Sequence, residues 1–382
     1  MAKRHSALVG GLLSIVVLTP PLFAQTPPPP NTVRAPAAAA PVPPSVEVHA
    51  DGRVTFRLVA PDANAVAVAI DRRSHPMTKD AAGLWSTTVG PLVPEIYEYT
   101  FAVDGARRVL DSRNPWSKPG EFAASLLDVP GTPPRFDQVQ NVPHGALELL
   151  TYRSTPYGKQ RNLWVYLPPQ YVGEPARRFP VLYLRHGNGD TEMSWPFQGQ
   201  AGVILENMLA AKQAVPMLIV MPYGESGAAG GTTPEGLAAL DREMNEDIIP
   251  LVEGRFRVLA DRENRAIAGL SMGGTQALYM GLKHLDRYAW VAEFSSGVAS
   301  DTIQSVLPAG TNLATLNRQL HLLFLACGTE DPRYAGHLEL VDALTKQGLK
   351  PVWYSGAGAH EMKVWRHALG DLLPRLFKGE TR

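Results

Sequence analysis

The sequence predicts two folded parts in series, a small β-sandwich and then a mostly parallel α/β sheet flanked by helices. Three observations lead there. From Ser45 to about residue 130 apolar and polar side chains alternate with period two, the pattern of half-buried strands. Beyond that point the apolar runs are unbroken and are separated by amphipathic segments, as in a sheet covered on both faces. The length of 382 residues also exceeds the ~100–200 of one ordinary domain.

Composition narrows the function. With 45% apolar and 19% charged residues the chain is an ordinary globular one. Lys plus Arg and Asp plus Glu are equal at 36 each, so no basic excess draws it to nucleic acid. A single cysteine, Cys327, rules out an intramolecular disulfide framework and any multi-cysteine metal site. No metal constellation is visible, and no cofactor is expected.

Residues 1–24 read as a secretory signal: Lys3 and Arg4, an apolar stretch from Ala7 to Leu18, then Ala24 before a cleavage point. The apolar stretch falls short of the ~20 residues of a spanning helix. An exported protein, secreted or periplasmic, with no stable membrane insertion after cleavage is expected. Residues 25–45, rich in Pro and Ala and free of aromatics, read as an extended spacer.

Residues 46–131 carry the alternation. Val54, Phe56 and Leu58 alternate with Thr55 and Arg57; Tyr97, Tyr99, Phe101 and Val103 alternate with Glu98, Thr100 and Ala102 before an Asp104-Gly105 turn. Trp85 and Trp116 are expected to pack in the sandwich and at the junction, with sugar stacking as their alternative role.

Residues 145–382 hold the apolar runs 163–167, 181–184, 217–221, 266–268 and 322–326, expected as buried strands. Helical segments are expected at 201–213, 240–254, 273–284 and 336–346.

The chemistry lies at strand ends. Gly269-Leu270-Ser271-Met272-Gly273 joins the strand 265–268 to a helical stretch, which makes it a nucleophile elbow: a turn so tight that the flanking residues lack side chains, presenting Ser271 above a helix N-terminus. A serine needs a base, and the base needs an orienting acid. Of the five histidines after Ser271, His360 follows a small-residue loop leaving a β-like run; His284 and His337 fall in helices, His321 precedes a buried strand, and His367 lies in the C-terminal helix. Asp331 ends the 322–326 strand and is the candidate acid, with helix capping as its competing role and Glu330 beside it. The backbone N–H of Met272 and that of Asn188, in the loop His186-Gly187-Asn188-Gly189, are the candidate oxyanion donors, and His186 is expected to brace that loop. Trp195 and Trp365 are candidate acyl-side walls of the substrate pocket, with core packing as the competing role. The glycine-rich stretch 224–236 holds no large apolar residue, so an open cleft rather than a lidded tunnel is expected.

These residues resemble a known family. Residues 145–378 are similar to the feruloyl and acetylxylan esterases of carbohydrate esterase family one, in the α/β-hydrolase superfamily. The shared motifs are 181–190 with Trp195, Val220-Met221-Pro222-Tyr223-Gly224, Ile248-Ile249-Pro250, the Ser271 elbow, 327–331, and His360 with Trp365-Arg366. The region around Trp85 and 97–105 resembles the early-set, immunoglobulin-like β-sandwich found beside glycan-active catalytic domains. The resemblance implies a serine carboxylesterase acting on acylated plant polysaccharide or oligosaccharide, with Ser271 as nucleophile, Asp331 as acid and His360 as base. Enterochelin-type siderophore esterases share the layout and supply the alternative; a glycan-binding protein with a relic hydrolase domain is the non-enzymatic one. Arg185 departs from the family pattern, standing where a strand residue is usually apolar.

Overall fold

In the computed structural model, which describes residues 43–307 and 313–378, the chain opens with short antiparallel strands. The expected export signal and residues 25–42 of the spacer lie outside the described residues. The first sheet has the order β1 (Val46–Val48), β2 (Val54–Val59), β6 (Leu84–Val89), β5 (Thr78–Lys79). The second runs β4 (Arg73–Pro76), β3 (Val66–Ile70), β7 (Glu95–Val103), β10 (Ala124–Val129), β9 (Ser117–Lys118), with β8 (Ala106–Val109) on β7. The period-two pattern is the cause. Val66, Val68 and Ile70 on β3 and Tyr99 and Phe101 on β7 meet Val54 and Phe56 from the other sheet in one core, while alternate residues face outward. Trp85 belongs to that core and donates its indole N–H to Ala60 O. Trp116 reaches out of the sheet pair, its indole N–H 3.3 Å from Phe197 O.

The larger sheet has eight strands in the order β11 (Ala146–Ser154), β12 (Lys159–Leu167), β14 (Leu218–Pro222), β13 (Val181–Arg185), β15 (Arg265–Gly269), β16 (Trp290–Phe294), β17 (Leu322–Gly328), β18 (Val352–Gly356). The first two are antiparallel; from β14 to β18 the neighbours run parallel. Successive residues feed opposite faces: Val181 and Tyr183 enter one core, Leu182 and Leu184 the other. That double burial explains the unbroken apolar runs. Arg161, Glu243 and Arg185 are exceptions beneath one face; Arg161 and Glu243 pair at 2.9 Å.

The helices differ from expectation at one place. The amphipathic stretch 240–254 is not one helix but the end of α3 (Pro234–Glu243), a π turn at Met244–Ile248, and α4 (Ile249–Arg255). Pro250 has no N–H to give to a carbonyl one turn back, and the wider π turn just before it absorbs that missing bond. Among the remaining helices, α1 (Pro169–Gly173) follows β12, α2 (Ala201–Ala210) precedes β14, α5 (Met272–Lys283) follows the elbow, α6 (Leu313–Gln319) precedes β17, α7 (Tyr334–Lys346) follows it, and α8 (Met362–Leu372) packs under β18.

From Pro43 onward the chain is one compact unit. Its two sheet systems are joined by a buried ionic cluster: Arg366 of α8 bonds Asp137 Oδ2 at 2.8 Å, Gln198 O at 3.0 Å, and Glu95 of β7. The strand ends that precede the candidate site residues, on β13, β15, β17 and β18, open toward the same edge of the large sheet. β13 lies between β14 and β15, so this edge is a crossover point where α/β proteins form crevices.

Candidate active site

Ser271 has φ 51° and ψ −117°, a conformation costly for a residue with a side chain and one that packing has to enforce. It is enforced from both sides. Leu270 N–H bonds Arg185 O, Ser271 N–H bonds Phe294 O, and a Cβ on Gly269 would lie 2.3 Å from Gly273 O. The turn therefore closes only with glycine at 269, and Ser271 Oγ is lifted to the sheet edge at the head of α5.

His360 Nδ1 is 2.7 Å from Asp331 Oδ2, and His360 Nε2 is 2.9 Å from Ser271 Oγ. A carboxylate accepts only, so Nδ1 carries the proton and Nε2 is free to accept from the serine hydroxyl. Burial pushes the His360 pKa down from its ordinary value; the Asp331 bond opposes this, and the nearby Arg333 charge reinforces it. Burial pushes the Asp331 carboxyl up, yet the Arg333 backbone N–H and His360 outweigh it and leave the acid below its usual range. The second carboxylate oxygen accepts that N–H at 2.9 Å.

The loop 186–189, the candidate oxyanion loop, comes close to Ser271: a Cβ on Gly187 would lie 3.4 Å from Ser271 Cβ. Met272 heads α5, so its N–H has no partner within the helix. Asn188 is exposed and lines the cleft. His186 is buried, its Nε2 accepting the Gly224 N–H at 2.7 Å while Nδ1 faces Gly187 O at 2.8 Å. That arrangement needs a neutral ring, and burial pushes its pKa down to about 3. His186 thus clamps its loop to the 224–236 segment.

The family described as "Putative esterase" matches residues 154–376. The chain belongs to this esterase family. The endo-1,4-beta-xylanase/feruloyl esterase of Xylanibacter ruminicola is 31% identical over 347 residues, covering 87% of this chain and 46% of that relative. The chain thus spans under half that relative's length. A solved ferulic acid esterase is 25% identical with a TM-score of 0.53, over 61% of this chain and 97% of its own. The enterobactin esterase from Shigella flexneri shares the fold, with a TM-score of 0.59 and 19% identity over 84% of this chain and 92% of its own.

In this family member the sequence-chosen walls behave differently. Trp195 is no wall: it is 1% exposed, sits in a π turn at Ser194–Gln198, donates to Arg185 O and meets Phe294 edge-on. Its amphipathic ring is drawn inward because a buried carbonyl awaits the indole N–H. Trp365 is largely buried too, donating to Ser295 Oγ, but it lines the cleft, and its ring stands perpendicular to His360 at 4.8 Å. Arg185 is fully buried and donates Nε to Gln276 Oε1 at 2.6 Å, tying β13 to α5 away from the substrate mouth.

The stretch 224–236 builds no packed lid; Gln276 pins it through Gly224 O and Gly231 O. The cleft, about 1260 Å³, is walled instead by the outer face of the second small sheet, opposite Ser271 and His360. Sequence reasoning missed this wall, since no motif marks the small outward residues Ala69, Thr100 and Ala102. It also missed Arg333, whose Nη1 lies 2.9 and 3.0 Å from the two ring nitrogens of His360. Among the described residues no cluster suited to a metal occurs and no helix is long and apolar enough to cross a membrane.

Proposed function

We propose that this protein is an exported serine carboxylesterase that releases feruloyl or acetyl groups from plant polysaccharide or its oligomers. One observation carries the reaction type: the relay from Ser271 Oγ through His360 to Asp331. Ser271 Oγ attacks the ester carbonyl while His360 Nε2 takes its proton; the imidazolium formed is stabilised by Asp331. The carbonyl oxygen becomes an oxyanion facing the N–H groups of Met272 and Asn188. Collapse expels the alcohol, protonated by His360, and leaves an acyl-serine. Water, deprotonated by the same imidazole, then releases the acid.

The substrate class rests on the xylanase/feruloyl esterase relative, and the export on residues 1–24. The first sheet pair is read as the early-set sandwich that accompanies such enzymes. A second reading, hydrolysis of a catecholate siderophore triester, is favoured by the enterobactin esterase sharing the fold over 84% of the chain, small sheets included. A panel of methyl ferulate, acetylated xylan and a ferric catecholate triester separates them by relative kcat/KM. Ser271→Ala should lower turnover on the preferred ester by ~10³-fold or more; retention of most activity overturns the relay.

A further inference from the structure

The cleft needs an apolar surface for an acyl group, and the tryptophans do not supply it. Trp195 is outside the cleft, and Trp365, which lines it, is only 7% exposed. Of the other aromatic residues lining it, Tyr99 and Phe101 belong to the small-sheet core, and Tyr97 packs against that core with its hydroxyl on Val93 O. Phe122 differs. It stands in the turn between β9 and β10, lines the cleft, and is 40% exposed.

Its seat is the oxyanion loop. Glu121 N–H donates to Gly189 O at 2.9 Å, and Lys118 approaches Asp190 at 3.4 Å. Gly189 has φ +74°, and a Cβ there would lie 2.8 Å from Phe122 Cε2, so the ring edge rests on bare backbone. The Arg108 guanidinium is 5.4 Å from the ring centre.

Reaction geometry then assigns the two ends of the cleft. The leaving oxygen must reach His360 Nε2, so the alcohol half lies on the His360 side, beside Arg72, Glu361 and Lys363, charged groups suited to a polyhydroxylated chain. The carbonyl oxygen points at Met272 and Asn188. The acyl substituent must take a third direction, and Phe122 is the exposed aromatic side chain that lines the same cleft.

We propose that Phe122, carried by the small sheets and seated on Gly189, is the platform for the aromatic ring of a phenolic acyl group. This rests on the ester-hydrolase reading above. Arg108 lies over one face of the Phe122 ring, so an electron-rich phenol stacks offset on the other face. Specificity for the acyl half is thereby set by a residue outside the large sheet.

The test uses the full chain and two esters with one leaving group, methyl ferulate and methyl acetate. Phe122→Leu fills the seat on Gly189 without a ring; Phe122→Tyr keeps the ring. The kcat/KM ratio of ferulate to acetate should fall about tenfold in Phe122→Leu, chiefly through KM for ferulate, and stay near wild type in Phe122→Tyr. Equal losses on both esters, or no loss on either, overturn the platform while leaving the esterase intact. Binding of free ferulic acid, followed by calorimetry, makes the two readings separable. A wild-type protein that binds the acid and loses it in Phe122→Leu, yet cleaves neither ester, overturns the hydrolase reading and keeps the platform.

Discussion

Arg72 Nη2 lies 2.7 Å from Glu361 Oε2, so a hairpin of the small sheets holds the residue that follows His360. The same sheets reach the other side of the cleft through Glu121 and Gly189. Both loops that flank Ser271 are thus in contact with a unit that the sequence presents as an accessory.

The Arg72 contact should be weak in stability. Its side chains are 66% and 35% exposed, and pairs so wetted contribute at most ~1 kcal/mol. Arg72→Ala should lower the unfolding free energy by less than that in urea titration, with the difference vanishing in high salt. Glu361→Ala should cost more, because Glu361 Oε1 also accepts the Ala359 N–H at 3.2 Å and so shapes the His360 loop.

The Arg366 cluster should behave in the opposite way. Arg366, Glu95 and Asp137 are 1%, 6% and 3% exposed, and Arg366→Ala strips the buried Glu95 carboxylate of its cation, while Asp137 keeps Arg135 at 2.9 Å. Removing one partner of a buried pair typically costs ~3–5 kcal/mol. A drop of that size in the unfolding free energy is expected, together with loss of the contact between the small sheets and α8, measurable as faster proteolysis between residues 129 and 146.

How much of this was legible depends on what each residue has to do alone. Val181–Arg185 and Leu322–Gly328 announce themselves because double burial demands continuous apolar side chains. Trp290–Phe294 does not, since Glu293 interrupts it. That carboxylate is paired with His337 of α7 at 3.3 Å, a partner 44 residues away that no local pattern reveals. Ser271, Asp331 and His360 could be proposed together because a serine hydrolase fixes both residue types and strand-end positions, and the structure brings the three within hydrogen-bond distance. Their mutual distances, the Arg333 charge and the opposing sheet arise only from packing. Trp195 shows the limit most plainly: an indole beside a catalytic loop reads equally as wall or core, and only the carbonyl of Arg185 decides it.

The pH profile follows from the environment of His360. Burial lowers its pKa from the ordinary 6.5, so the neutral, reactive form persists below that pH, and kcat/KM on a neutral ester should fall only on further acidification. Arg333→Gln removes a neighbouring positive charge while retaining the backbone N–H to Asp331, and should move the acidic limb upward. The stability sign agrees. The fold favours the neutral ring, so the contribution is complete above 6.5 and is lost as pH falls through the lowered value. An unmoved limb in Arg333→Gln would show that solvent screens that charge.

A tight backbone constraint lies at Gly273. A Cβ there would lie 2.4 Å from His186 O and 2.7 Å from Arg185 O. Both are backbone atoms, one closing β13 and one opening the oxyanion loop, so neither can swing aside as a flexible side chain would. Gly273→Ala must therefore push the start of α5 away from that loop and separate the proposed oxyanion donors, the N–H groups of Met272 and Asn188. Misplacing an oxyanion donor costs ~10²–10³-fold in kcat, and overpacking costs ~1–3 kcal/mol. At Gly336, in α7, an added methyl group would meet nothing within 4 Å, and there the same substitution gains helix propensity of up to ~1 kcal/mol. Gly273→Ala should be nearly inactive on methyl ferulate and melt earlier, and Gly336→Ala should melt later. A Gly273→Ala protein with normal kcat would mean that the elbow and the oxyanion loop can part without cost, and that the donors lie elsewhere.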